Sequence, residues 1–240
     1  ELTGTEDHRW FDVRETEDRG LETFDAVIVR KDPPFDVEYL NSTYLLELSA
    51  RKGARIFNRP DALRSHNEKL TITQFPEFMV PTLVTADQEQ LRSFHVEYRD
   101  IILKPLNAMG GDGVFRIGED GLNLGAAIET LTASGRKAVM AQRYIPDIVE
   151  GDKRVLLING QVVPFALARI PQKGEVRGNL AAGGTGRAQL LSERDRQIAE
   201  TLAPVLADRG LFLVGLDIIG NWLTEVNVTS PTCFREIAQQ

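Results

Sequence analysis

The chain of 240 residues predicts an α+β fold. Three observations carry that expectation: a strand–helix–strand order between Asp25 and Asn58, a strand-rich stretch beyond it, and a closing pair of apolar strands punctuated by Gly220-Asn221. Asp25-Ala26-Val27-Ile28-Val29 reads as a buried strand stopped by Pro33-Pro34. Val37, Leu40, Tyr44 and Leu48 recur at helical spacing up to Gly53, and Arg55-Ile56-Phe57-Asn58 is a second short strand. A parallel layer of two strands is poorly covered, and the chain opens on Glu1 without a methionine. The expectation is therefore that this layer is incomplete and that the sequence begins inside a longer product.

From Pro60 a helix is expected through Asn67-Glu68-Lys69, then a strand near Thr82 to Thr85, a helix from Asp87 to Tyr98 and the strand Ile101 to Lys104. A glycine-rich loop, Pro105 to Gly113, leads to strand Val114 to Ile117, helix Leu124 to Thr132, and strands Ala138 to Tyr144, Arg154 to Ile158 and Val162 to Ile170. Pro171 to Gly186 holds five glycines and is too long for a hairpin, so it reads as a mobile loop able to act as a lid. Ser192 and Asp195 open a helix with a capping-box pattern, lined inside by Ile198, Leu202 and Val205 and closed by Gly210. Strands Leu211 to Ile219 and Trp222 to Val228 end the chain as a hairpin.

Composition excludes several classes. The 35 acidic against 28 basic side chains give a net charge of −7, whereas a protein built to sit on phosphate backbones shows a basic surplus, so nucleic acid is not the partner expected. No apolar run approaches the roughly 20 residues of a membrane span, and no basic and apolar signal segment opens the chain. Cys233 is the single cysteine and cannot form an internal disulfide; with three scattered histidines it builds no zinc site, and a reducing cytoplasm is the expected location. Ser230 lacks the G-x-S-x-G elbow, and no histidine stands near a serine or cysteine constellation, so nucleophilic catalysis has no candidate.

Two constellations remain. Lys104 ends a strand beside the turn Pro105-Leu106-Asn107-Ala108-Met109-Gly110-Gly111-Asp112-Gly113, which is either a plain hairpin turn or a cradle of backbone N–H groups for phosphate oxygens with the lysine as point charge. It is neither a P-loop nor a dinucleotide fingerprint. Glu225 and Asn227 leave the same face of one strand, and pairing within the hairpin would bring Asp217 beside them. That face is either a solvated polar patch or a site for Mg²⁺, a hard cation that takes carboxylate and amide oxygens and keeps phosphates in its other positions. Arg143, Arg154, Arg169 and Arg177 stand near these strands and could hold carboxylates or phosphates bidentately.

Several phrases read together are specific: Arg30-Lys31-Asp32-Pro33-Pro34-Phe35-Asp36, Asn67-Glu68-Lys69, Lys104 to Gly113, Met140-Ala141-Gln142, Gly151 to Val155, Arg169-Ile170-Pro171, Arg177 to Gly184, Gly215-Leu216-Asp217 and Thr224 to Cys233. From about Asp25 onward the chain closely resembles the prokaryotic glutathione synthetases, a family of ATP-grasp ligases. The resemblance implies an ATP-grasp fold preceded by part of a Rossmann-like α/β domain. It would comprise an N-terminal substrate-side domain over 1–66 and an ATP-grasp domain over 67–240. The latter divides into a nucleotide-covering part at 67–145 and a metal and substrate part at 146–240 with a lid at 171–187.

The implied reaction joins γ-glutamylcysteine and glycine, with ATP cleaved to ADP and phosphate through an acyl phosphate. Carried over by motif, Asp217, Glu225 and Asn227 would hold two Mg²⁺ ions, for which Mn²⁺ can substitute. Lys69, Lys104, Gly110, Gly111 and Gly113 would meet phosphates, and Gln142, Arg143, Tyr144 and Ile145 would line the adenine pocket. Arg154, Arg177 and Asn179 would serve the acyl phosphate. Arg30, Asp32, Ser230, Pro231 and Thr232 would touch the dipeptide. The family also implies a homo-oligomer, a tetramer.

One departure stands out: the family reads K-P-L-D-G-M-G-G, while here Asn107 and Ala108 replace the aspartate and first glycine. If position 108 needs φ > 0, the alanine costs about 1 kcal/mol and shifts the loop. Competing readings are another ATP-grasp carboxylate–amine ligase, such as a D-alanine ligase or a glutamate-adding enzyme, and a nucleotide-binding module without catalysis. The pairing of R-K-D-P-P with N-V-T-S-P-T disfavours the first, and retention of Asp217, Glu225 and Asn227 disfavours the second.

Overall fold

The computed structural model describes residues 11–178, 180 and 183–239. Strands β1 (Val27–Ile28) and β2 (Ile56–Phe57) pair in parallel around helix α1 (Val37–Arg51), as the strand–helix–strand order requires. The Asp36 carboxylate accepts from the Tyr39 N–H at 2.9 Å and so fixes where α1 begins. Helix α2 (Pro60–Ser65) stops short of the expected Asn67-Glu68-Lys69 extension. The reason is local: Asn67 Oδ1 accepts from the N–H groups of Lys69 and Leu70 at 3.1 and 3.0 Å, which turns the chain into a 3-10 segment at Leu70–Gln74.

Two antiparallel sheets follow. The smaller has β3 (Thr82–Thr85), β4 (Ile101–Pro105), β5 (Phe115–Ile117) and β6 (Val139–Arg143) in the order β3-β6-β4-β5. Helices α3 (Gln88–Tyr98) and α4 (Leu124–Leu131) cover it. Leu91, Phe94 and Ile128 pack there on Ile101, Leu103, Val139 and Ala141. The larger sheet has β7 (Asp152–Ile158), β8 (Gln161–Ile170), β9 (Thr185–Leu190), β10 (Leu213–Ile219) and β11 (Trp222–Asn227) in the order β11-β10-β7-β8-β9. Its core face receives Ile198, Leu202 and Leu206 of α5 (Glu193–Asp208), all buried against Val155, Leu157, Leu216 and Ile218. Each such side chain contributes about 1.5–3 kcal/mol by leaving water.

Strand β9 begins inside the stretch that the sequence reads as loop. It is an edge strand paired with β8, and in Thr185-Gly186-Arg187-Ala188-Gln189-Leu190 the alternation is weak, since only the small Gly186 and Ala188 precede Leu190 on the apolar side. A short terminal helix, α6 (Phe234–Ala238), is likewise unannounced, and its Ile237 packs with Cys233 on Leu156 and Leu167. Among the described residues no helix is long and apolar enough to cross a membrane.

The capping box of α5 is present and does a second job. Ser192 and Asp195 exchange side-chain bonds at 3.1 Å each way, and the fully buried Asp195 also pairs with Lys153 of β7, whose ammonium donates to the Gly220 carbonyl at 2.9 Å. Asp195→Ala removes the carboxylate half of the capping box, leaving the Ser192 half in place, and strands a buried ammonium, so urea denaturation should show a loss of about 3 kcal/mol or more.

Candidate active site

A cavity of about 260 Å³ lies between the two sheets, walled by the ends of β4, β6, β7, β10 and β11 and by the loops that leave them. Pairing in the β10–β11 hairpin sets Asp217 opposite Glu225 and Gly215 opposite Asn227, so the register expected from sequence holds and the three side chains meet the cavity. Glu225 Oε1 is 3.1 Å from Lys69 Nζ and 3.9 Å from Lys104 Nζ. Both lysines are buried; burial pushes the Lys104 ammonium down from its ordinary value, and the Glu225 charge pulls it back up.

Beneath them Arg154 grips Asp217 through Nε at 2.6 Å and Nη2 at 3.2 Å. Arg169 Nη2 reaches one oxygen of Asp217 at 2.9 Å and one of Asp152 at 2.5 Å. Burial would raise the Asp217 carboxyl, but the two guanidinium groups overcome it and hold it well below the usual carboxylate range. Asp152 goes the other way: burial lifts it to about 6 against the pull of Arg169, and the neighbouring Asp217 charge adds to the rise. Its Oδ1 is buried and has no hydrogen-bond partner among the described residues, which fits the upward push that burial gives this carboxyl.

Gly110, Gly111 and Gly113 have φ of +65°, +84° and +67°, conformations that side chains seldom adopt, so the turn depends on their being glycine. Gly110 and Gly111 line the cavity; Gly113 stands behind them, close to Pro105. Ala108 is not among the residues of positive φ, so the expected strain at this position is absent. Its carbonyl instead accepts from Lys69 Nζ at 2.7 Å, and Asn107 Oδ1 accepts from Asn67 Nδ2 at 3.0 Å. Of the two departures only Asn107 ties the turn to the Asn67–Lys69 segment through its side chain; the bond at Ala108 is to the backbone and does not depend on the residue there.

Gln142, Arg143, Tyr144 and Ile145 all line the cavity where β6 runs out toward the larger sheet. Gln142 is held by Thr82 at 3.0 Å, and the Arg116 guanidinium lies 3.7 Å over the Tyr144 ring. Asp32, Ser230 and Thr232 are on the wall as well, and Ser230 donates to the Asp32 carboxylate across the gap between the N-terminal layer and the larger sheet. Arg177 lines the cavity from the far side, paired with Glu175 at 2.5 Å. Pro231 packs near Gly215 rather than on the wall. Arg30 does not reach the cavity: it is exposed at the end of β1, 5.6 Å over the Phe234 ring. Asn179 lies outside the described residues.

Among the cavity groups not singled out from sequence are Glu68, Asp152 and Ile148. The first two sit in the phrases Asn67-Glu68-Lys69 and Gly151-Asp152-Lys153-Arg154, whose specificity could have flagged them. Nothing marks Ile148. Burial pushes the Glu68 carboxyl up, against hydrogen bonds from Thr229.

The donor set suits a hard cation. Among the described residues no group of three or more His, Cys, Asp or Glu side chains gathers, so the site offers two carboxylates and the Asn227 amide, whose Nδ2 is spent on the Gly215 carbonyl at 3.2 Å and whose oxygen remains. A cation so held needs further oxygens, which phosphates supply.

Comparison with known proteins decides the matter. The prokaryotic glutathione synthetase ATP-grasp domain matches residues 68–240, and the N-terminal domain of the same enzymes matches residues 1–64. The chain belongs to the prokaryotic glutathione synthetase family. Glutathione synthetase of Ralstonia nicotianae is 64% identical over 239 residues, 100% of this chain and 74% of the relative; that of Nitrosomonas europaea is 59% identical over 234 residues, 98% and 73%. Among solved structures, D-cycloserine synthetase DcsG superposes with a TM-score of 0.67 at 19% identity, covering 90% of this chain and 80% of its own, a likeness of fold. The chain is an ATP-grasp ligase, and its reaction uses ATP and a divalent metal.

Because Ala108 carries no strain, Ala108→Gly should bring no gain in ADP-forming turnover. It should lower stability by about 0.4–1 kcal/mol through the freer unfolded chain, read by thermal or urea denaturation.

Proposed function

We propose that the chain joins the cysteinyl carboxylate of γ-glutamylcysteine to the amine of glycine, with ATP cleaved to ADP and phosphate. The observation that carries this reading is Glu225, held between Lys69 and Lys104 and set opposite Asp217 on the hairpin. Phosphoryl transfer needs cations placed around the moving oxygens far more than it needs a side-chain nucleophile, and the cavity supplies those cations in Lys69, Lys104, Arg154 and Arg177.

In the proposed sequence a carboxylate oxygen of the dipeptide attacks the γ-phosphorus of ATP and the bond to the β-phosphate oxygen breaks, giving an acyl phosphate and ADP. The glycine amine then attacks the carbonyl carbon, the C–O bond to phosphate breaks, and the amine proton is lost to the departing phosphate or to water. Lys69 and Lys104, with the amides around Gly110 and Gly111, neutralise the β- and γ-phosphates. Asp217, Glu225 and Asn227 would hold Mg²⁺, two ions by family resemblance with Mn²⁺ able to replace them, which supplies charge neutralisation at the transferring phosphoryl group.

Residues Gln142 to Ile145 take the adenine. Arg154, already fixed by Asp217, faces the acyl phosphate, and by family resemblance Arg177 and Asn179 would serve the same acyl phosphate and keep water from competing with the amine. Asp32, Ser230 and Thr232 receive the dipeptide. The domain limits 1–66 and 67–240, a cytoplasmic location and a tetramer belong to the same reading; exposed Val37, Tyr44, Leu45 and Leu48 give α1 an apolar face that supports assembly.

ADP release measured with Mg²⁺, ATP and γ-glutamylcysteine should depend on glycine and yield a thiol product heavier by one glycyl unit. Nucleotide binding without turnover, or turnover with a different amine alone, would sink the reading. Glu225→Gln should lower kcat by about 100-fold or more and raise the Mg²⁺ needed for half-maximal rate, because one charge at the transferring group is lost.

A further inference from the structure

We infer that Glu68 is a positioning residue that holds the 228–232 loop in register with Lys69, so that the dipeptide and the nucleotide phosphates meet at the right separation. This rests on the function proposed above, since that reading places the dipeptide against Ser230 and Thr232.

Strand β11 ends at Asn227, opposite Gly215, and it is the edge strand of its sheet, so among the described residues the side facing away from β10 has no strand to bond to. Buried backbone amides left without a ladder must find acceptors elsewhere. The Glu68 carboxylate takes over: Oε1 accepts from Val228 N at 2.8 Å, from Thr229 N at 3.0 Å and from Thr229 Oγ1 at 2.8 Å. The Glu68 carbonyl meanwhile accepts from Val226 N at 2.9 Å. Four bonds thus join one residue to the stretch 226–229, which carries Asn227 and leads directly into Ser230.

On its other side Glu68 is bonded in sequence to Lys69, which contacts both Glu225 and the Ala108 carbonyl. The residue therefore sits where three parts of the site converge: the phosphate turn, the metal-binding hairpin and the dipeptide loop. Among the described residues no lysine or arginine forms an ion pair with Glu68, and its three side-chain donors are uncharged. It serves as an acceptor of hydrogen bonds. A partner for a cationic side chain it is not.

The test is steady-state kinetics of the whole enzyme with γ-glutamylcysteine and ATP varied separately. Glu68→Ala should raise KM for the dipeptide by about tenfold or more, while KM for ATP moves less than about twofold. Glu68→Gln, which keeps an oxygen acceptor at the same reach, should recover the dipeptide KM to within about threefold of wild type. Thr229→Val, which deletes only the hydroxyl donor, should shift the dipeptide KM in the same direction by less, and it keeps the idea testable if the alanine variant does not fold.

The inference is overturned if the two KM values rise together, if the dipeptide KM does not move, or if Glu68→Gln is as impaired as Glu68→Ala. The last result would mean that the negative charge itself is used. Wild-type enzyme without glycine-dependent ADP release would instead overturn the proposed function and leave the hydrogen-bond geometry untouched.

Discussion

Everything in the cleft depends on keeping ionised groups neutralised where water is scarce. Arg154 and Arg169 face Asp217 and Asp152, and a few ångströms above them Lys69 and Lys104 face Glu225. A lone charge at such depth would lose its proton or gain one, or would force the structure open. Paired, each is held in a defined direction. The divergence of the two acidic partners of Arg169 shows how finely this is poised: Asp217, with two arginines, is driven well down, while Asp152, sharing one, is lifted to about 6.

That charge lattice also explains why no side-chain nucleophile is called for. The family's chemistry is performed by the substrates on one another, and the protein's work lies in placing cations around phosphate oxygens before the reaction begins. Antiparallel strands suit this work because alternation sends every second side chain into the cleft at a spacing that does not relax. Glycines at positive φ let the turn after β4 fold as it does, and because Ala108 is not among the residues of positive φ the alanine there adds no strain to it.

Legibility in the sequence followed the strength of local signals. Strands β3, β4 and β6 and helices α1, α3 and α5 were readable because apolar periodicity and side-chain caps coincide there; Asp36, Asp87 and Ser192 all cap as their positions suggest. Strand β9 was not readable, since an edge strand paired on one side needs no apolar face, and the end of α2 was misplaced because Asn67 chose a turn over another helical residue. The hairpin register that joins Asp217, Glu225 and Asn227 was visible from spacing. The convergence of Lys69, Lys104 and the glycine turn on that hairpin was not, because residues more than a hundred positions apart share no local signal, and only family resemblance linked them. Arg30 shows the converse, a residue in a specific phrase that the fold directs to Phe234 instead of the cleft.

Asn58 joins two layers whose described strands share no pairing. Its amide donates to the carbonyls of Leu213 and Val228 and accepts from Leu213 N, all within 2.8 Å, so this side chain stitches the end of β2 into the larger sheet as though it were one more rung. A single amide thereby does what a continued ladder does elsewhere, and it fastens the N-terminal layer to the hairpin that carries Asp217, Glu225 and Asn227.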